Sequence, residues 1–304
     1  MRKKFNTLVL FLFVFVSFSQ AEIQIYLKKS FIESYKMRAT INVDDFIIDK
    51  AHERPNPPSK DGDLHIAGRS KTIGFPVVAE IMNAKYFQNA VKLVHTWENT
   101  NTSVKVSGIW RIWCEHAGDD IQEQGKNINK ITTTNPNHVF EIHPVVGLGD
   151  LNLGDSLVPI DGFTYKICQD AFLRFENTPC RIIPNGDSIL IETRGVGYNY
   201  VEFKVQLRDD EEIVESEDGY FIICKILDLD DEIVSQKTRV VFAKNTEPAK
   251  SLDTFKKQKS LHVVGITRMN LSLVSWRLEE SKNNPRVLDW NLPLEMVVVA
   301  VIEE

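Results

Sequence analysis

The stretch Ser103-Val-Lys-Val-Ser-Gly-Ile-Trp-Arg111 has a partner in the second half of the chain, Ser260-Leu-His-Val-Val-Gly-Ile-Thr-Arg268, with five of nine residues identical. In the first copy, apolar and polar residues alternate, which is the pattern of a half-buried strand. Each copy follows a stretch with the apolar spacing of an amphipathic helix, residues 84–97 and residues 248–257. A repeat that holds the same place relative to a helix predicts a duplicated structural unit.

Strand patterns surround the first copy in the order of the OB-fold, a five-stranded Greek-key barrel. Three predicted strands precede the helix and two follow it. Their ranges are 39–43, 63–69, 73–81, 104–114 and 139–148. We therefore expect residues 22–152 to form one OB-like barrel with a short helix.

The second half repeats part of this order. Strands predicted at residues 220–227 and 232–243 precede the second helix, and strands at residues 260–268 and 294–302 follow it. The predicted fold is therefore all-β, with two OB-like five-stranded Greek-key barrels, each carrying a short helix. Residues 153–304 are expected to be a β-rich second domain that holds the second barrel.

An additional β-rich segment, Gly154 to Asp218, joins the two predicted barrels. Three strands are expected in it, at residues 162–168, 171–175 and 188–193, and Pro184-Asn185-Gly186 is a hairpin-turn signal. Residues 194–200 are predicted to form a mobile or tight β-turn. The added strands either extend the second barrel or form a small linking sheet, and the sequence favours neither.

A secretory signal peptide is predicted at residues 1–21. Basic residues 2–4 precede an apolar run at residues 8–18, which is about half the ~20 residues needed to span a bilayer, and small residues end the segment. We expect cleavage and a secreted or periplasmic bacterial protein without a membrane span. Cleavage reduces 36 basic residues to 33 and leaves 42 acidic residues, so the net charge changes from −6 to −9.

The composition is typical of folded proteins, with 43% hydrophobic and 26% charged residues over a length of 304, enough for two domains. The acidic excess disfavours tight nonspecific binding to nucleic acid. No Gly-x-Ser-x-Gly or His-Glu-x-x-His motif is present, so the common serine hydrolase and metalloprotease chemistries have no support.

Three short motifs lie in the predicted strands of the first barrel. They are Asp61-Gly62-Asp63-Leu64-His65, Val77-Val78-Ala79-Glu80-Ile81 and Glu141-Ile142-His143-Pro144-Val145. Together they resemble a group of exported bacterial OB-like domains of unknown function, over about the first 150 residues. The middle motif departs from the group's pattern, because Met82-Asn83 follows it where a proline is expected. The resemblance implies a small OB-like barrel and no particular activity.

The polar residues of these motifs suggest a metal site. Asp63 and His65 share one face of their predicted strand, and Glu141 and His143 share one face of theirs. If the faces meet, they could bind Zn²⁺ or another divalent metal and activate water, as in a metal-dependent hydrolase or phosphodiesterase. His116 and His138 could add to the site. The alternative, which we favour, is that the histidines are hydrogen-bonded barrel residues.

A binding role is the second hypothesis. OB barrels bind ligands beside the loop between strands one and two and the loop between strands four and five, here predicted at residues 44–60 and 115–137. Arg69, Trp110, Arg111 and Trp113 could line that face and stack on a ligand, unless Trp110 belongs to the core. We therefore expect a non-catalytic binding or structural module for a glycan, a peptide or a protein surface, with the hydrolase as the alternative.

Four cysteines fall in the exported part of the chain, where disulfides can form. A hairpin between Cys168 and Cys180 would bring them together, so they are the best candidate pair. Cys114 and Cys224 lie in apolar strands and form either a second disulfide or two buried thiols.

Overall fold

The computed structural model of the chain describes residues 22–118, 121–209 and 211–302, so the predicted signal peptide lies outside the described residues. The strands are β1 (Glu22–Lys28), β2 (Thr40–Ala51), β3 (Leu64–Arg69), β4 (Pro76–Ile81), β5 (Ser103–Ile112), β6 (Gln122–Glu123), β7 (Phe140–Leu148), β8 (Leu151–Asn152), β9 (Lys166–Ile167), β10 (Pro179–Asn185), β11 (Ser188–Arg194), β12 (Val201–Leu207), β13 (Val214–Glu215), β14 (Gly219–Leu227), β15 (Ile233–Ala243), β16 (Ser260–Met269), β17 (Asp289–Asn291) and β18 (Leu294–Val301). The helices are α1 (Lys29–Tyr35), α2 (Gln88–Trp97), α3 (Cys168–Asn177), α4 (Glu247–Lys250), α5 (Leu252–Gln258) and α6 (Leu271–Glu280). Among these helices, none has the length and apolar character needed to cross a membrane.

The first barrel consists of β2, β3, β4, β5 and β7. Antiparallel pairs give the order β4-β3-β2-β5-β7, and a parallel pair between β4 and β7 closes the sheet. α2 lies between the third and fourth strands, which confirms the predicted order. β2 continues to Ala51, so the loop predicted at residues 44–60 starts only at His52. The strand extends because Phe46 and Ile48 enter the core after a bulge in its pairing with β5.

The second barrel repeats these pairings with β12, β14, β15, β16 and β18. A parallel pair between β15 and β18 closes it, and α4 and α5 take the place of α2. The two copies of the repeated sequence form β5 and β16, the fourth strand of each barrel. The predicted pair of OB-like barrels is therefore confirmed. The first strand of the second barrel, β12, is not among the predicted strands, although Val201, Phe203 and Val205 alternate with polar residues and are buried.

The linking segment contributes to a third sheet, with the strand order β17-β10-β11-β1-β6. The predicted hairpin is present as β10 and β11, and Gly186 has a φ of +57° in its turn, which glycine adopts without strain. β1 runs antiparallel to β11, so the N-terminal strand joins this sheet rather than a barrel. Residues 154–218 therefore supply the linking sheet with β10 and β11 and the second barrel with β12.

Two of the strands predicted in this segment differ in the structure. The strand predicted at residues 171–175 is wrong, because these residues lie in α3. Cys168, Ala171, Phe172 and Phe175 are buried, and their spacing puts them on one face of a helix. The strand predicted at residues 162–168 shortens to the two residues of β9.

All four cysteines are free and buried, so the predicted Cys168–Cys180 disulfide is wrong. The prediction assumed a hairpin between these residues, whereas α3 starts at Cys168 and separates it from β10. Burial raises the pKa of the Cys114 and Cys180 thiols to about 12. Cys114 and Cys224 are the buried thiols of the second alternative.

The barrels meet at the ends of their fourth strands, where the last residue of each repeat copy is a buried arginine. Arg111 Nε donates to the carbonyl oxygen of Thr267 at 2.8 Å, and Arg268 Nη1 donates to that of Trp110 at 3.1 Å. Each arginine thus donates to the carbonyl oxygen of the residue that precedes the other arginine. The equivalent arginines of the two repeat copies therefore make equivalent hydrogen bonds between the barrels.

The same two arginines pair with glutamates on the fifth strands. Arg111 lies 2.6 Å from Glu141 on β7, and Arg268 lies 2.7 Å from Glu295 on β18. In both barrels the arginine and the glutamate are direct neighbours in the strand register. A buried ion pair between strands four and five is therefore present in both barrels.

Candidate functional site

Polar side chains from three neighbouring strands of the first barrel meet on the outer face of its sheet, because Glu80 and His143 alternate with the core residues Ala79 and Ile142. Asp63 immediately precedes β3, Glu80 lies on β4 and His143 lies on β7. β4 pairs with both β3 and β7, so the sheet brings the three together. One ligand atom from each lies within 4.8 Å of those from the other two. We call Asp63, Glu80 and His143 the buried triad.

The predicted meeting of Asp63 with His143 is present, with His143 Nε2 3.3 Å from Asp63 Oδ2. His65 lies at the outer side of the triad, 3.5 Å from Glu80 Oε2 and 3.9 Å from Asp61 Oδ2. The His65 ring also stacks on that of His52, with ring centroids 4.6 Å apart.

The prediction missed Glu80, although it lies within one of the motifs. Its Oε2 atom is 3.5 Å from His143 Nδ1, and its side chain is 3% exposed. The sequence signal is a lone carboxylate in the otherwise apolar run Val77–Ile81, since an unpaired charge is rarely buried.

Tyr200 reaches the triad from the residue before β12, outside the first barrel. Its hydroxyl donates to Asp63 Oδ2 at 2.5 Å and lies 2.8 Å from His143 Nε2. The tyrosine therefore connects the triad to the second barrel. Tyr200 lies 137 positions after Asp63 in the sequence, so no local motif contains both residues.

Glu141 has other partners. Its carboxylate accepts from Arg111 Nη1 at 2.6 Å and lies 3.3 Å from His138 Nε2. Burial alone would raise the pKa of Glu141. Arg111, His138 and His143 outweigh this effect and hold the pKa of Glu141 well below its usual value. Of the predicted metal ligands, Glu141 is the one neutralised by a guanidinium. The ring of His116 stacks on that of His138, with centroids 5.3 Å apart.

The triad carries strongly perturbed groups. Burial raises the pKa of Asp63 to about 6 and also raises that of Glu80. For His143, burial lowers the pKa, but Glu80 and Asp63 outweigh this effect and raise it well above its usual value. Burial therefore dominates the pKa shifts of the two carboxyl groups, whereas the neighbouring carboxylates dominate that of the imidazole.

Each member of the triad has one buried polar atom without a hydrogen-bond partner among the described residues: Asp63 Oδ1, Glu80 Oε2 and His143 Nδ1. Both ring nitrogens of His65 also lack a hydrogen-bond partner among the described residues. Buried polar atoms are nearly always satisfied in proteins, so this concentration is unusual. The triad itself has relative exposures of 0%, 2% and 0%, so its side chains are removed from solvent.

The residues predicted to bind a ligand do not form one exposed face. Trp110, Arg111 and Trp113 are at most 2% exposed. Trp110 Nε1 donates to the carbonyl oxygen of Arg38 at 2.8 Å, so it belongs to the interior where the barrels meet. Arg69 is half-buried and makes two hydrogen bonds to Asp49, at 2.7 and 2.9 Å.

An open cleft of about 840 Å³ lies between the two barrels. The first barrel lines it with β2, β5, and the turn between β7 and β8, and the second barrel with residues 217–218 and 244–245. Its polar lining includes hydroxyl and amide side chains together with three basic and three acidic residues. They are Ser34, Thr40, Asn42, Ser107, Asn152, Asn245, Arg38, Lys105, Lys244, Asp150, Glu217 and Asp218.

Comparison with known protein families and with curated proteins gives no match. Among solved structures, the chain is similar to a murine DNA-binding protein bound to double-stranded DNA, with 12% sequence identity and a TM-score of 0.17. The match covers 86% of this chain and 98% of the other. A TM-score this low carries no argument about the fold or the ligand of this protein.

Proposed function

We propose that the protein is an exported, non-catalytic binding module that holds a glycan in the cleft between its two barrels. The observation that carries the proposal is the lining of that cleft. Hydroxyl and amide groups from both barrels face it, and its basic and acidic residues are equal in number. Such a surface suits a neutral ligand with many hydroxyl groups, because each hydroxyl can both donate and accept hydrogen bonds.

Two features of the cleft give the ligand a place to bind. Asn42 on β2 and Lys105 on β5 are exposed, and neighbouring Tyr35 adds an aromatic ring. Asp218 accepts from the backbone nitrogens of Ala39 and Thr40, at 3.0 and 2.8 Å, and so fixes the second barrel against the first. A fixed cleft loses little conformational entropy on binding, which favours affinity.

A metal-dependent hydrolase centred on Asp63, His65, Glu141 and His143 is the alternative. Catalytic metal sites keep a coordination position open to substrate. The burial of Asp63 and His143 and the ion pair between Glu141 and Arg111 both argue against such an opening. We therefore favour the binding module.

A glycan array followed by calorimetric titration tests the proposal. We expect the purified protein to bind one class of neutral glycan, and the double variant Asn42→Ala/Lys105→Ala to lose at least about tenfold in affinity, or ~1.4 kcal/mol. The matched control is Lys256→Ala, an exposed lysine on α5 outside the cleft. Wild-type affinity in the double variant, or no glycan bound on the array, would exclude the glycan cleft.

Export rests on the pattern of residues 1–21 and has its own test. The full chain is expressed in a bacterium, and the N-terminus of the protein outside the cytoplasm is sequenced. We expect it to start at Glu22. Retention of the intact chain in the cytoplasm would contradict export without bearing on the glycan cleft.

A further inference from the structure

We infer that the buried triad binds one Zn²⁺ ion, which acts as a structural centre of the first barrel. Asp63, Glu80 and His143 each offer one ligand atom within 4.8 Å of those of the other two, and each also has a buried atom without a hydrogen-bond partner among the described residues. Carboxylate oxygen and imidazole nitrogen are both common zinc ligands. The inference is independent of the glycan cleft.

The hydrogen bonds around the triad leave the ligand atoms free. The imidazole can donate from His143 Nε2 to the Tyr200 hydroxyl, and that hydroxyl donates to Asp63 Oδ2. These two hydrogen bonds occupy one side of each residue, and His143 Nδ1 and Asp63 Oδ1 have no hydrogen-bond partner among the described residues. A metal-binding histidine usually has its second nitrogen fixed by such an outer hydrogen bond.

The distances agree with a zinc centre. Ligands about 2.0–2.2 Å from a tetrahedral ion lie roughly 3.3–3.6 Å from one another. Glu80 Oε2 is 3.5 Å from His143 Nδ1 and also 3.5 Å from His65 Nε2. His65 Nε2 has no hydrogen-bond partner among the described residues, so it offers a fourth metal ligand at the outer side.

The charges of the triad also agree with a divalent cation. Glu141 is neutralised by Arg111, which leaves the carboxylates of Asp63 and Glu80 as the acidic groups of the triad. A divalent cation with a neutral imidazole would balance these two carboxylates. Two oxygens and one nitrogen are too few and too mixed for Ca²⁺, which takes six to eight oxygen ligands. The burial of the triad makes the centre structural, since a closed site admits no substrate.

The first test measures metal in the wild-type protein. Protein purified without chelator is incubated with excess Zn²⁺, dialysed and analysed by mass spectrometry for metal content. We expect about one zinc per chain and a lower melting temperature after EDTA treatment. Less than about a tenth of a zinc per chain, or a melting temperature unaffected by EDTA, would overturn the inference.

The second test uses variants. Glu80→Gln and His143→Gln should each reduce the zinc content at least fivefold and abolish the effect of EDTA on melting. The control is His262→Gln on the second barrel, where a half-buried histidine pairs with Glu202 at 3.0 Å. It should keep the wild-type zinc content. Circular dichroism checks that the variants fold, and a folded His143→Gln variant with full zinc content would also overturn the inference.

Discussion

Arg268 has no exposed surface, and its guanidinium is surrounded by polar and aromatic groups. It bonds to Glu295, donates to the carbonyl oxygens of Ala39 and Trp110, and lies 3.7 Å from the centre of the Trp110 ring. Removing a charge from water costs several kcal/mol, so the arginine is tolerated only because these partners replace its hydration. One residue thus joins two strands of its own barrel and the interior of the other barrel.

The substitution Arg268→Met should lower the free energy of unfolding by about 3–5 kcal/mol, because Glu295 then stays buried with Arg239 as its one remaining charged partner among the described residues. Urea denaturation measures the change. Lys256→Met, at an exposed position of α5, is the control and should stay within about 0.5 kcal/mol of wild type. Equal stability of the two variants would show that the buried pair contributes nothing.

At the scale of elements, the repeated strands β5 and β16 both carry a glycine where their pairing shifts register. The register of β5 with β7 shifts on both sides of Gly108, and that of β16 with β18 shifts before Gly265. A Cβ on Gly108 would lie 2.5 Å from the carbonyl oxygen of Pro144, and one on Gly265 would lie 2.9 Å from the ring of Phe203. The glycine of the repeat is therefore required by close approach of a neighbouring strand.

Gly108→Ala should lower the free energy of unfolding by about 1–3 kcal/mol, because a backbone carbonyl must move to accept the methyl group. Gly265→Ala should cost less, since its nearest obstacle is a side chain. Gly195→Ala is the matched control, where the nearest atom would be 3.7 Å away. Chemical denaturation ranks the three variants, and an unaffected Gly108→Ala protein would refute this account of the repeat.

The whole molecule is held together by one large hydrophobic cluster. It includes Ile142 from the first barrel, Ile191 from the third sheet and Val263 from the second barrel. Tyr200 and the two buried arginines add polar links between the barrels. A shared core couples parts that could otherwise unfold separately.

We therefore expect a single cooperative unfolding transition. Of the five tryptophans, Trp110 on β5 and Trp113 just after it are buried, whereas Trp276 and Trp290 are exposed, so the change in fluorescence on unfolding comes mainly from the first barrel. Far-ultraviolet circular dichroism reports on strands throughout the chain. The two signals should give coincident transitions, and the calorimetric and van't Hoff enthalpies should agree. Separate transitions for the two signals would mean that the barrels unfold independently.

The sequence by itself determined the barrels, since strand alternation, two helical stretches and the repeat at residues 103–111 and 260–268 are local patterns. Local patterns also found Asp63 and His143, because residues two apart share a strand face. They failed for α3, where the buried residues Phe172 and Phe175 fit either a short strand or a helix, and for the Cys168–Cys180 pair that depended on it.

Only the tertiary structure decided which polar residues meet. Glu80 joins the triad because β4 lies between β3 and β7, and Tyr200 joins it from the start of the second barrel. The same packing buries Trp110 and Arg111 between the barrels and opens a cleft beside them. These outcomes depend on contacts between residues far apart in the chain, and the spacing of residues along a single strand or helix carries no information about such contacts.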